Sequence, residues 1–233
     1  MEAQLGAAKV AKYATGESGD TLEIIERPHG GISAVLVDGQ RSGRSAKIIS
    51  NIVARKAISL LGEGVRDGAV ARASHDYLRT HRRGQVSAEL QIVSVDLETR
   101  TLVVSRNSHC PALLLRQGDL VMLDEASEAI GFRARTKPVI TEIPLEPGLC
   151  VAIYTDGLLD ALTKGVGMKG LRSAFVECAE RGCSAQGMAD ALLEASLKAD
   201  SRRPGDDTCA VVMSIRDGDV PDDVRRLSFS FPV

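Results

Sequence analysis

Four short motifs in this 233-residue sequence carry residue types suited to chemistry: Ser18-Gly19-Asp20, Val37-Asp38-Gly39, Thr155-Asp156-Gly157 and Gly205-Asp206-Asp207. Each motif stands at one end of a strand-like run. Carboxylates gathered at one place repel one another, and burying them unpaired costs several kcal/mol each unless a cation sits among them. All-oxygen donors suit a hard divalent ion, Mg²⁺ or Mn²⁺, better than zinc or copper. A carboxylate between two such ions can bridge them, and a glycine after it lets the backbone carbonyl approach as a further donor. Ions held this way can lower the pKa of a water and set it in line with a phosphorus atom. The competing reading is that Asp-Gly is a common hairpin-turn dipeptide. Asp38-Gly39 and Asp156-Gly157, however, run into helical or irregular segments instead of return strands.

The surrounding pattern supplies elements able to bring these aspartates together. Strand-like alternation covers 8–15 and 21–27, Pro28-His29-Gly30-Gly31 makes a turn, and an apolar strand follows at 32–37. In that hairpin Asp20 precedes one strand and Asp38 follows the other, so both emerge at the edge opposite the turn. The same logic applies to Asp156, after the strand ending CVAIY, and Asp206, before TCAVVMSI, if those two strands pair antiparallel. Helical spacing runs over about 45–61 and 65–83, with Ile48, Ile52 and Leu60 offered as an apolar face. Further strands fall at 87–96, 101–106, 111–117, 119–123, 138–145 and 149–155. Helices follow at 168–181 and 185–199, then a last strand at 208–215. Strand runs bracketed by helix pairs indicate an α+β fold of antiparallel sheets covered by helices. Residues 1–215 read as one domain and 216–233 as a polar, then weakly amphipathic tail.

Bulk properties exclude several classes of function. A net charge of −2 and 3% aromatic residues give no electrostatic footprint or stacking platform for nucleic acid. No apolar stretch approaches the roughly 20 residues that cross a bilayer, and the first residues lack a basic segment followed by an apolar one, so neither membrane nor export is expected. Five cysteines without a CxxC pair fit buried thiols in a reducing cytoplasm.

The order SGD (18–20), VDGQRSGRSA (37–46), YTDGLLDA (154–161) and GDDTCAVV (205–212) resembles the metal-dependent serine/threonine phosphatases of the PPM, or protein phosphatase 2C, superfamily, in its bacterial SpoIIE-type branch. RNSHCPALLL (106–115) is similar to that branch's GHPP strand pair, with Ser108 for the glycine and Cys110 for the first proline. EAIGF (128–132) resembles its LG turn. The resemblance covers about residues 8–215. It implies a four-layer αββα sandwich with metals at one edge of two antiparallel sheets. It further implies that Asp38 bridges two Mn²⁺ or Mg²⁺ ions with the Gly39 carbonyl on one, and that Asp156 and Asp206 bind the other. Asp20 would contribute directly or through water, and Asp207 would stand behind the ligands. The reaction implied is hydrolysis of phosphoserine or phosphothreonine by a metal-activated water, without a phosphoenzyme.

The usual DGxGxG reads Asp38-Gly39-Gln40-Arg41-Ser42-Gly43 here. Arg41 and Arg44 are candidates to meet substrate phosphate or an acidic partner surface, against the reading that they are solvated charge. None of the four histidines is assigned, and His109 is read as part of a strand turn. A catalytic domain without sensor modules resembles the stand-alone RsbX type, which implies phosphorylated STAS-domain proteins of the bacterial stressosome as substrates. Two rivals stand beside this. One is a phosphatase fold retired to a binding module, suggested by the altered glycine loop. The other is an ATP-binding fold, which lacks a Walker-type GxxxxGK[ST] and leaves Asp156 and Asp206 unexplained.

Overall fold

A computed structural model describes residues 1–164, 167–218 and 224–230; the rest of the expected tail, 219–223 and 231–233, lies outside the described residues. Among the described residues, ten strands form two five-stranded antiparallel sheets. In the first, β2 (Thr21–Glu26), β3 (Gly31–Gly39), β4 (Ala88–Asp96), β5 (Thr101–Asn107) and β8 (Val139–Pro144) lie side by side in that order. In the second the order is β1 (Glu2–Val10), β10 (Thr208–Arg216), β9 (Cys150–Tyr154), β6 (Ala112–Arg116) and β7 (Asp119–Leu123). Helices α1 (Gly43–Gly62) and α2 (Asp67–His81) cover the first sheet. Helices α3 (Asp156–Lys164), α4 (Gly167–Glu180) and α5 (Ala185–Ala199) lie over the second.

The continuous apolar strands follow from this layering, because a central strand has no solvent face when both sides of its sheet are covered. Along β3, Ala34 and Leu36 enter the core between the sheets, while Val35 and Val37 pack under α1. Along β9 and β10, Val151, Ile153, Cys209, Val211 and Met213 face the inter-sheet core, and Ala152, Tyr154, Ala210 and Val212 face the outer helices. All five cysteines are free, with Cys110, Cys150 and Cys209 buried.

Two sequence-level expectations need correction. The first strand is Glu2–Val10, not 8–15. Its small residues have weak strand propensity, and it forms as an edge paired with β10, from Glu2↔Arg216 to Val10↔Thr208. Gly6 permits this, since a Cβ there would lie 2.2 Å from the Gln186 backbone nitrogen at the start of α5. Second, the buried face of α1 is Ala46, Ile49, Ser50, Val53, Ala54, Ala57 and Leu61, and Ile48 is 45% exposed. Small residues let the helix lie close to the sheet, which turns Ile48 outward. The segment RNSHC links the two sheets, with β5 in the first and β6 in the second. Buried Arg106 organises that crossover by donating to the carbonyls of Ser108, Cys110 and Glu125.

Candidate active site

The two sheet edges carrying the aspartate motifs face each other. Thr21 pairs with Val37, so Asp20 and Asp38 continue from adjacent strand ends. Tyr154 pairs with Ala210, and the Thr155 N–H then donates to the Cys209 carbonyl at 3.0 Å, which brings Asp156 beside the Asp206-Asp207 turn. Between these ends opens a cavity of about 190 Å³. Asp20, Asp38, Gly39, Arg41, Asp156, Asp206 and Asp207 all line it, together with Glu89. Arg44 does not line it and stands exposed in the first turn of α1.

Strand alternation aims the central carboxylate. Ala34 and Leu36 face the space between the sheets, so Asp38 points the same way two residues on, where that space ends. Gly39 is required next to it. Its missing Cβ would lie 2.1 Å from the Ala46 carbonyl oxygen, so the first turn of α1 closes onto the strand end. Gly157 serves the other sheet likewise, with its missing Cβ 2.2 Å from the Asp207 carbonyl oxygen. Helix α3 begins at Asp156, where a carboxylate in the first turn suits the helix dipole.

The carboxylates are crowded and short of positive partners. Burial, then the charges of Asp20, Asp156 and Glu89, pushes the Asp38 carboxyl up to about 10. Burial raises Asp20 to about 7 against the opposing hydrogen bond from Thr155. Asp156 is raised by burial and by Asp206 and Glu89. Asp20 Oδ2 accepts from Thr155 Oγ1 at 2.9 Å, whereas Oδ1 is buried without a hydrogen-bond partner among the described residues. A buried carboxylate oxygen left unpaired among the carboxylates of Asp38, Asp156 and Asp206 is the donor set that hard divalent cations take. The residues present therefore fit Mg²⁺ or Mn²⁺.

Asp207 is differently engaged. Its Oδ1 accepts the Lys12 N–H at 2.9 Å and its Oδ2 the Gly19 N–H at 2.8 Å. It thus clamps the segment leading to Asp20. The Asp206 side chain is 41% exposed, with Oδ1 accepting from Asp207 N at 2.9 Å and lying 3.8 Å from Lys12 Nζ in an ion pair. Lys9 Nζ and Lys47 Nζ both donate to the backbone carbonyl of Asp20 at 2.6 Å. Crowding by burial and by Lys9 lowers the Lys47 pKa.

Sequence reasoning assigns no role to Glu89, Thr155, Lys9 or Lys47. Glu89 stands directly across from Asp38 in the β3–β4 register, on the same sheet face. It accepts from Ser108 Oγ at 2.6 Å and from the His109 N–H at 3.2 Å, and its carboxylate also contacts His109 Nδ1. That contact raises the His109 pKa and ties the crossover turn to the cavity. A lone charged residue opening an otherwise uncharged run, as in AELQIVSV, is the signal that could have marked Glu89. Thr155 Oγ1 accepts from Cys209 N at 2.9 Å while donating to Asp20, so it joins the two sheets at the cavity.

A family model described as Stage II sporulation protein E (SpoIIE) matches residues 28–216. The chain belongs to the SpoIIE family. Its fold agrees with that placement. It is similar, with a TM-score of 0.78 and 20% identity, to the PP2C phosphatase domain and a fragment of the regulatory domain of the cell fate determinant SpoIIE from Bacillus subtilis. That match covers 92% of this chain and 63% of the SpoIIE chain, so this chain spans under two thirds of that relative. It is similar also to the serine/threonine phosphatase PstP/Ppp of Mycobacterium tuberculosis (TM-score 0.68, 15% identity, 93% of this chain and 100% of that one). RsbX in complex with magnesium matches at a TM-score of 0.65 and 14% identity, over 91% of this chain and 94% of that one. No curated protein sequence matches the chain. The SpoIIE-family domain is accordingly an α+β sandwich of the PP2C type, two antiparallel sheets flanked by helices. Among the described residues no helix is long and apolar enough to cross a membrane.

Proposed function

We propose that this chain is a metal-dependent protein serine/threonine phosphatase that hydrolyses phosphoserine and phosphothreonine with water as the nucleophile. The observation that carries this reading is the convergence of Asp20, Asp38, Asp156 and Asp206 on one cavity, with Asp20 Oδ1 buried and unpaired. In this assignment the Asp38 carboxylate and the Gly39 carbonyl would be central ligands of the Mn²⁺ or Mg²⁺. Asp156 and Asp206 would complete the donor set, with Asp20 contributing directly or through water. Bound there, the ions supply neutralisation of the phosphoryl charge and a water acidic enough to attack at neutral pH.

The chain's own residues hold this constellation rigid. Thr155 fixes the orientation of the Asp20 carboxylate, and Asp207 pins the backbone that carries it. Arg41, on the cavity lining, offers planar donors to the substrate phosphate, and Arg44, exposed in the first turn of α1, is the second candidate. Hydrolysis consumes one water, leaves inorganic phosphate and returns the serine or threonine hydroxyl, with no group left on the protein.

We assign the substrates to phosphorylated STAS-domain regulators of a bacterial stress pathway, acting in the cytoplasm. Similarity to RsbX over nearly the full length of both chains supports this assignment.

Hydrolysis of p-nitrophenyl phosphate and of a phosphopeptide should need Mn²⁺ or Mg²⁺, stop with EDTA, and be lost in Asp38→Asn and Asp156→Asn. Metal binding without turnover in the unaltered protein would instead support a retired binding module. Release of phosphate from a phosphorylated STAS protein, compared with an unrelated phosphoprotein, checks the substrate assignment.

A further inference from the structure

Positive and negative charge are segregated around the cavity. Residues 39–62, 77–88 and 129–141 contain eleven Lys and Arg and no Asp or Glu, in a chain whose net charge is −2. Parts of these three stretches meet along one side of the opening. Gln40 and Ser87 are joined through Gln40 N to Ser87 O at 3.3 Å and Ser87 N to Gln40 Oε1 at 3.1 Å. Ala88 and Ile130 exchange backbone hydrogen bonds of 3.0 and 2.8 Å, and Ala88 and Ala129 line the cavity.

The loop after Ala129 is firmly held. The Asn107 side-chain amide donates to both the Glu128 and the Lys137 carbonyls, at 2.9 and 3.3 Å, which closes the neck of the loop. The Gly131 N–H donates to His75 Nδ1 at 3.1 Å, and the Phe132 carbonyl lies against Gly84 beside the end of α2. From this base the tip projects. Phe132 is 64% exposed, and Arg133 and Arg135 are exposed beside it. Arg133 pairs with Glu128 at 3.2 Å. Arg41, Arg44, Arg83 and Arg135 form no ion pair among the described residues. Arg41 has a φ of +73°, a left-handed conformation that a long side chain adopts at a cost. A cationic side chain kept on the cavity lining at that cost points to a binding role.

We propose that this lip, formed by Arg41, Arg44, Arg83, Arg133 and Arg135 around Phe132, is the docking surface for the protein substrate, and that it selects phosphoresidues flanked by acidic side chains. The inference rests on the phosphatase reading and names the substrate class for that cavity. The acidic cavity takes the phosphate only with its cations in place, whereas the basic lip acts on the acidic surface around it and steers its approach. Phe132 supplies the apolar contact at the centre of the charged rim.

The test compares two phosphopeptides of one core sequence, one with Asp and Glu flanks and one with Lys flanks, with p-nitrophenyl phosphate as a substrate too small to reach the loop tip. The unaltered protein should favour the acidic peptide in kcat/KM by about tenfold, as two or three rim ion pairs would give, and lose the preference in high salt. The double variant Arg133→Glu/Arg135→Glu should abolish or invert it, and Phe132→Ala should raise KM for both peptides. Both should hydrolyse p-nitrophenyl phosphate within about twofold of the unaltered protein, a margin far below the loss of an ion-pair cluster. Equal rates on the two peptides, or a preference untouched by charge reversal, overturns the proposal. If p-nitrophenyl phosphate is not hydrolysed at all, the phosphatase reading fails separately. Fluorescence-anisotropy binding of the same two peptides then decides whether the lip selects acidic flanks.

Discussion

Stripping divalent cations from this protein should make its stability fall steeply as pH rises. In the folded chain the Asp20 carboxyl titrates at about 7 because burial disfavours its ionised form, against 3.8 when unfolded. An acid whose folded pKa lies above its unfolded value binds its proton more tightly in the native state. Its contribution is fully present below the unfolded value and is lost as pH rises through the window between the two. From pH 5 to pH 8 Asp20 alone removes about 3 kcal/mol at 1.36 kcal/mol per pH unit. For a chain of this size that corresponds to about 6–12 °C in Tm. Asp38, pushed up to about 10, acts in the same direction throughout this range. Thermal or urea unfolding in EDTA at pH 5, 6, 7 and 8 measures the effect. Excess Mn²⁺, which competes with protons for the same oxygens, should raise Tm far more at pH 8 than at pH 5. Asp20→Asn should make the EDTA curve shallower without levelling it, because Asp38 still acts over the same range. Equal stability at pH 5 and pH 8 in EDTA, with an equal Mn²⁺ effect at both, would refute the electrostatic reasoning behind the cavity.

Asp207→Ala should leave the Lys12 and Gly19 N–H groups without their acceptor, cost about 2 kcal/mol in urea unfolding, and weaken Mn²⁺ binding by calorimetry. Arg27→Met should destabilise by about 3–5 kcal/mol, because the guanidinium lies 3.0 Å from Asp67 with both side chains buried, and its loss strands a carboxylate. Gly6→Ala should cost about 1–3 kcal/mol through its overlap with α5, whereas Gly16→Ala, with no atom within 4 Å of the new Cβ, should leave the Tm unchanged.

Local pattern carried much of the architecture. Apolar runs too continuous for a half-solvated sheet, as in AVLV and CVAIY, encode strands buried on both faces. The turns that separate them encode antiparallel pairing. In the 21–37 hairpin that pairing places Asp20 with Asp38 at strand ends, whereas the pairing that brings Asp156 to Asp206 joins strands separated by helices α3, α4 and α5 and is a product of the tertiary structure. The edge strand Glu2–Val10 was less legible, since its composition does not favour a strand and the exposed edge of β10 induces it. The buried face of α1 was misread for a related reason: Ile48 looks apolar in sequence, but the sheet accepts the face lined by Ala46, Ala54 and Ala57.

By itself the sequence determined which residue types stand at which strand ends, because side-chain periodicity and turn chemistry act within a few residues. Only the tertiary structure decided what those ends meet. Glu89 faces Asp38 through a cross-strand register, Thr155 reaches from one sheet to hold Asp20 on the other, and Phe132 with its arginines is carried to the cavity by contacts with α2 and β4. These juxtapositions depend on how two sheets stack and where their edges stop, and that is fixed by packing between segments far apart along the chain.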